Sequence, residues 1–356
     1  MSAQSPSRVY SFVLIAVVLL GGLVLAEIAL RWTLYPIQRP YHFEQDAVIA
    51  DPATGYRLAT GSQTIMTDGH FRATVATDAL GLRDRFDPAL PDDGLIAIGD
   101  SQTFGHGVEA RDSWPERLQM QLGVNVRNAG VFGYGINQYE PTIRRLLDQG
   151  VKIRHVLVGL TWNDLGSGND PIDGNIVVNG RVAANPKYRQ PSSVWDDLRQ
   201  LSRRSALLHL TADAGLRLSG LLGVAPAENR QWDAALPQAI ALSRQRLEAF
   251  QDFLTARGAR LSVIYLANGN FVRPEIWANI AKRRSYGRYV ARKQLTGWTK
   301  LRGIGFVDMT DALEAAYLEN GSRYDWLAVP SDGHYAGGAN GVIAAEAAKL
   351  LGSRKK

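Results

Sequence analysis

Five short apolar runs, bounded by polar or glycine-containing turns, begin at residue 95 and alternate with stretches of helical periodicity. The runs are Leu95–Gly99, Val124–Asn128, Val156–Leu160, Leu261–Leu266 and Gly305–Asp308. The helical stretches are Ser113–Leu122, Asn137–Gln149, Leu236–Arg257 and Val290–Leu301, and a last helix is expected over Ala339–Leu351, with Gly352 past its end. Apolar strands alternating with helices imply a parallel sheet covered on both faces. Such a sheet brings the carboxyl ends of its strands to one rim, which is where ligands bind in open α/β folds. An α/β domain with a site on that rim is therefore the expected architecture.

Polar motifs follow the first three strands directly. After the first comes Gly99-Asp100-Ser101-Gln102-Thr103-Phe104-Gly105, after the second Asn128-Ala129-Gly130-Val131-Phe132-Gly133-Tyr134-Gly135, and after the third Thr161-Trp162-Asn163-Asp164. A fourth, Ser331-Asp332-Gly333-His334, precedes the last helix. Together they hold the parts of acyl-transfer chemistry. Ser101 would attack an acyl carbon, His334 would take its proton, and Asp332 would orient the imidazole. The backbone N–H groups of Ser101 and Gly133 and the side-chain amide of Asn163 would form the oxyanion hole. A glycine at 133 allows close backbone approach. Asp100 and Asp164 are expected to hold loops by accepting backbone N–H bonds. His106 follows the serine by five residues and is a candidate for lining the pocket, although such a residue is more often an ordinary loop side chain. His42, His70, His155 and His209 have no motif around them and read as structural.

Composition excludes several classes. Cysteine is absent, so there is no thiolate nucleophile, no disulfide and no Cys-ligated zinc. No His/Asp/Glu cluster has metal-ligand spacing, and no cofactor is implied. Gly105-His106-Gly107 and Gly133-Tyr134-Gly135 lack the third glycine of a dinucleotide fingerprint. There is no phosphate loop and no Gly-x-Ser-x-Gly elbow. The net charge of +6 comes with scattered basic residues and small clusters at Arg203-Arg204, Lys282-Arg283-Arg284 and Arg354-Lys355-Lys356. No nucleic-acid motif accompanies them, so a solvated basic surface is expected.

The N-terminal region carries an uncharged run of 18 residues, Val9 to Ala26. It reaches the length of a membrane span, roughly 18 residues or more. Glu27 and Arg31 are i,i+4 partners, and Trp32 and Tyr35 suit an interface. A cleaved signal peptide is the rival, with Val24-Leu25-Ala26 as its cut site, but the run exceeds the roughly 7–15 residues of a signal core. Either reading exports the rest of the chain. Residues 1–32 are thus expected to be an anchor and 33–93 a membrane-proximal stalk with irregular structure packed on the domain. Residues 94–352 are expected to form that domain. Close to a hundred residues separate the third and fourth strands, so about 166–235 is an insertion, acting as a lid, a substrate platform or a packing element.

The four motifs, in this order, resemble those of the SGNH hydrolases, a branch of the GDSL esterase and lipase superfamily. The family's serine, glycine, asparagine and histidine fall on Ser101, Gly133, Asn163 and His334. The resemblance covers roughly residues 75 to 350. The stretch Asp78-Ala79-Leu80-Gly81-Leu82-Arg83-Asp84 is similar to a lead-in of membrane-anchored bacterial members. The resemblance implies a flavodoxin-like three-layer α/β/α sandwich with a five-stranded parallel sheet. Two departures stand out. Serine at 331 replaces the usual aspartate, and the Asp-x-His form resembles the polysaccharide O-acetylation branch. Trp162 stands where the third block usually carries glycine, and an indole there would narrow the acyl pocket in favour of small groups such as acetyl.

The combined expectation is an exported, membrane-tethered serine esterase or acyltransferase at the inner membrane, its catalytic domain periplasmic. Its expected substrate is an acylated carbohydrate or another small ester, within envelope polysaccharide machinery and with no nucleic-acid partner. A lipase or thioesterase for longer chains, and a non-catalytic glycan-binding or assembly subunit, remain open alternatives.

Overall fold

The computed structural model describes residues 6–33, 41–83, 86–166, 170–188, 205–208, 210–211, 214, 227–280, 289–329 and 333–352. The chain divides into two units, Met1–Arg39 with Gln190–Val224, and Pro40–Arg189 with Ala225–Lys356. In the first, helix α1 (Pro6–Thr33) is long and apolar enough over Tyr10–Trp32 to cross a membrane. Glu27 near its end accepts bonds from Arg31 at 2.6 Å, the Ser205 hydroxyl at 2.9 Å and the N–H groups of Ala206 and Leu207 at 2.8 and 3.0 Å. Much of the expected insertion, including Trp195 and His209, lies outside the described residues, as do the three basic clusters.

The second unit opens with five strands: β1 (His42–Phe43), β2 (Val48–Asp51), β3 (Gly55–Leu58), β4 (Gln63–Thr67) and β5 (Arg72–Ala76). β1, β4 and β5 form one antiparallel sheet and β2 and β3 a second. This stretch, expected as stalk and irregular structure, alternates buried and open positions in β3, β4 and β5, and Tyr56, Leu58, Met66 and Val75 enter the main core. Its period-2 signal is faint in the sequence because several alternating positions are Thr and Ala, which differ little in apolarity.

Next come β6 (Leu95–Gly99), β7 (Val126–Asn128), β8 (His155–Thr161), β9 (Asn175–Val178), β10 (Arg181–Ala184), β11 (Arg260–Leu266) and β12 (Gly305–Asp308). β9 and β10 are a hairpin, turned by Asn179 and Gly180, both at positive φ. The other five make one parallel sheet in the order β12-β11-β8-β6-β7. Counted along the chain that order is 2-1-3-4-5, the flavodoxin-like order. β8 is buried at every position, as the unbroken apolar run required. Helix α2 (Ser101–Phe104) follows β6, α3 (Trp114–Leu122) precedes β7, and α4 (Ile136–Asp148) joins β7 to β8. α3 packs with the last helix, Gly337–Gly352, and α4 with the helix Ala227–Thr255. Right-handed crossovers put these pairs on opposite faces, which gives the three layers. The helix expected from Leu236 starts at Ala227, with Pro237 inside it, and Gly352 falls within the last helix.

The strand order reverses between β6 and β8, whose paired ends include Gly99 opposite Gly159. A Cβ at either glycine would lie 2.2 Å from Thr103 Oγ1, so α2 rests directly on the sheet. Gly99→Ala would also set its methyl 2.7 Å from the Gly159 carbonyl oxygen. Urea unfolding of Gly99→Ala is expected to show a loss of about 1–3 kcal/mol, the usual cost of overpacking a core. Adding Thr103→Ala should recover only part of it, because the backbone contact remains. A double-mutant cycle measures that remainder.

Candidate active site

Ser101 is the first residue of α2. Asp100 caps that helix, its Oδ1 accepting the Gln102 N–H at 2.9 Å. The Ser101 N–H, at the first helical position, has no intrahelical acceptor. Ser101 Oγ lies 2.7 Å from His334 Nε2 across 233 residues of sequence. The loop that brings His334 there is tied from several sides. Gln102 Oε1 accepts the Tyr335 N–H at 3.0 Å. Val329 N–H donates to the His334 carbonyl at 2.7 Å, and Asn340 Nδ2 to the Tyr335 carbonyl at 3.1 Å. The Tyr335 hydroxyl donates to the Ala267 carbonyl beyond β11. Asp332, expected to orient the imidazole, lies outside the described residues together with Ser331.

Gly133 is exposed at φ +73°, a conformation costly for any other residue. A Cβ there would meet the Tyr56 hydroxyl at 2.7 Å. That hydroxyl donates to the Phe132 carbonyl at 2.6 Å, while the Tyr134 hydroxyl donates to the Tyr56 carbonyl at 2.5 Å. β3 therefore grips the loop after β7 on both sides of Gly133.

Asn163 follows β8 and is exposed. Its Nδ2 donates to Asp100 Oδ2 at 3.2 Å, leaving a second amide hydrogen for a ligand. Thr161 Oγ1 lies 2.9 Å from Asp100 Oδ2, 2.6 Å from Asn163 Oδ1 and 3.1 Å from Asp164 Oδ2. One hydroxyl hydrogen cannot serve three acceptors. Burial raises the pKa of Asp100, and burial together with the Asp100 charge pushes Asp164 well above the carboxylate range. A proton on Asp164 turns one of the three acceptors into a donor. Asp164 also accepts the Thr161 N–H at 2.8 Å and the Tyr139 hydroxyl at 2.9 Å.

Trp162 is half-buried, its ring edge-on to Phe271 at 5.1 Å, and Phe271 meets Trp277 in the same way at 5.0 Å. His106, considered for the pocket lining, is only 1% exposed and stacks on the His334 ring with centroids 4.3 Å apart. His155 is structural in the plain sense, its Nε2 2.9 Å from Ser262 Oγ between neighbouring strands.

Two residues given no role by the motifs that contain them complete the frame. Gln102 ties serine to histidine, as described, and its adjacency to Ser101 was the available signal. Arg83, in the lead-in block, is fully buried. Its Nη1 donates to the carbonyls of Phe104 (2.8 Å) and Gly105 (2.5 Å), and its Nη2 to those of Thr74 (3.0 Å) and Val108 (2.7 Å). The guanidinium also lies over the Phe104 ring, 4.5 Å from its centroid. Burial draws its pKa down to about 10, against the pull of Glu109 and Glu116, so it stays charged at neutral pH.

No family model matches the chain, and no curated protein does. Solved structures similar to it include a lipolytic protein of the G-D-S-L family from Desulfitobacterium hafniense DCB-2, at 13% identity and a TM-score of 0.38, covering 72% of this chain and 98% of that one. The psychrotrophic esterase EstA from Pseudoalteromonas sp., in a structure inhibited by monoethylphosphonate, is 14% identical over 74% of this chain and 98% of that one, with a TM-score of 0.38. A G-D-S-L family lipolytic protein from Veillonella parvula DSM 2008 is 12% identical over 72% and 97%, with a TM-score of 0.36.

Two outcomes are expected of the frame. Arg83→Met strands four carbonyl acceptors and should cost about 3–5 kcal/mol in urea unfolding, as removing one side of a buried polar network does. Asp164 should make stability pH-dependent. Its folded pKa is raised, so the folded chain keeps a proton that the unfolded chain releases near 3.8. Its contribution is therefore greatest below pH 3.8 and declines as pH rises through the higher folded value. Unfolding of Asp164→Asn across a pH series should show this decline removed, narrowing the gap to wild type as pH rises.

Proposed function

We propose that this chain is a serine esterase or O-acyltransferase of SGNH type, acting on small acyl esters, acetyl foremost, of a cell-envelope or extracellular glycan. The observation that carries the reading is the 2.7 Å contact between Ser101 Oγ and His334 Nε2, at the rim of the sheet where the strand order reverses. In the proposed reaction Ser101 Oγ bonds to the acyl carbon as its proton passes to His334 Nε2. The carbonyl π electrons move onto oxygen, toward the N–H groups of Ser101 and Gly133 and the Asn163 amide. Collapse expels the alcohol oxygen, which takes the proton from His334. Water or a sugar hydroxyl then repeats the sequence on the acyl-enzyme, giving hydrolysis or transfer. Asp332 holds the imidazole tautomer in this scheme.

Trp162 supports the small acyl group, because it stands beside Asn163 with its ring fixed against Phe271. The Asp-x-His spacing and its resemblance to the polysaccharide O-acetylation branch support the glycan. Helix α1, long and apolar enough to cross a membrane, supports a tether; an inner-membrane anchor with the domain on the periplasmic side is the placement proposed.

A serine-directed fluorophosphonate should label wild type and not Ser101→Ala. His334→Ala should lose labelling by about 10²–10⁴-fold, the usual yield of general-base help. Asn163→Ala should lower kcat on p-nitrophenyl acetate by about 10²-fold with little change in KM. Equal labelling of Ser101→Ala defeats the serine chemistry. Faster turnover of decanoyl than acetyl esters favours a lipase or thioesterase. Glycan capture unaffected by Ser101→Ala, without any esterase activity, favours a binding subunit.

A further inference from the structure

His106 sits one helical turn from the nucleophile. Its N–H donates to the Ser101 carbonyl at 3.0 Å, and the Gly105 N–H donates to the same oxygen at 3.1 Å. The imidazole is enclosed by rings from three separate parts of the chain. Tyr41 meets it edge-on at 4.4 Å, Phe71 edge-on at 5.6 Å, and His334 lies against it in a stack at 25°. With 1% of its surface exposed, it offers substrate no open edge. Its loop is clamped by Arg83, whose guanidinium holds the carbonyls of Phe104, Gly105 and Val108 on both sides of it.

We propose that His106 is a positioning residue for the His334 base: its ring fixes the plane in which His334 Nε2 points at Ser101 and covers one face of that imidazole when it becomes charged. This rests on His334 acting as the base. A five-membered ring held only at its edge swings about its Cβ–Cγ bond, and the swing carries Nε2 away from Oγ. A parallel ring on one face blocks it. When the proton moves from Ser101 Oγ to His334 Nε2, the imidazolium faces the π cloud of a neutral ring, an attraction of cation–π type. A second positive charge on His106 would oppose that, so His106 works as a neutral aromatic surface. Its nitrogens are not needed for the effect, and phenylalanine should replace it.

The test compares His106→Ala and His106→Phe on p-nitrophenyl acetate, well below each variant's Tm. Active concentrations come from titration with a fluorophosphonate. His106→Ala should lose about tenfold in kcat with KM within about twofold, the pattern of an effect confined to the chemical step. His106→Phe should recover to within about threefold of wild type, and the rates of fluorophosphonate labelling should follow the same order. Wild-type kcat in His106→Ala while His334→Ala is inactive overturns the proposal and leaves the base assignment standing. Equal loss in His106→Ala and His106→Phe, both folded, also overturns it, since a nitrogen would then be required. Full activity in His334→Ala overturns the base assignment and this proposal with it.

Discussion

The site depends on one close contact, that of Thr103 with the two facing glycines of β6 and β8. Gly99 and Gly159 have no side chains, and the Thr103 side chain fills the space where both Cβ atoms would stand. Helix α2 can then begin at the very end of β6, with Ser101 at the point where the strand order reverses. The neighbouring strand end, β8, delivers Thr161, Asn163 and Asp164 beside it. A second close approach holds the other flank, because a Cβ at Gly130 would stand 2.4 Å from the Phe104 N. Asn128 at the end of β7 finishes the fit, donating to the Thr103 carbonyl at 3.0 Å and accepting the Gly130 N–H at 3.0 Å. Backbone approach of this kind leaves the serine little freedom to wander.

The strands before residue 80 form the outer half of this frame. The Tyr56 hydroxyl donates to the Phe132 carbonyl and the Tyr134 hydroxyl to the Tyr56 carbonyl, across 76 and 78 residues, and the two bonds fix the loop that presents Gly133. Arg83 does the same for the loop after Ser101. A buried guanidinium costs desolvation, and its bonds to main-chain carbonyls, with the attraction of Glu109 and Glu116, offset that cost. The advantage over an aliphatic core residue is geometric. A planar fork can hold carbonyls from two segments, at Thr74 and at 104–108, in fixed relation.

The central sheet was legible because its signal is local. Continuous apolar runs ending in Gly-Asp-Ser, Asn-Ala-Gly and Thr-Trp-Asn-Asp gave strand positions within two residues. The first three motifs also named the rim, since parallel strands must end together. The lead-in sheets were not legible, because Thr and Ala on alternating positions make a weak pattern and their partners lie far along the chain. The β9–β10 hairpin did carry a strong signal, Val177-Val178-Asn179-Gly180-Arg181-Val182, with the Asn-Gly pair suited to a type I′ turn. Arg83 and His106 were opaque for a shared reason. A lone arginine or histidine in a loop looks solvent-facing, and their burial depends on groups at 41, 71, 74 and 334 that no local window contains.

In the proposed reaction negative charge develops beside Asn163, and the carboxylates behind it bear on that reading. An oxyanion beside Asn163 would lie close to Asp100 and Asp164, and two buried carboxylates there would oppose it. Burial already resists that state by raising both pKa values, and the Asp100 charge raises Asp164 further. The Asp100 carboxylate is engaged by the Gln102 N–H, Thr161 and Asn163. Asn163 is neutral and can turn one amide hydrogen to Asp100 and the other outward. A lysine in its place would pair with Asp100 and be drawn inward. The amide thus suits the proposed role of a donor aimed at the rim while touching a carboxylate behind it.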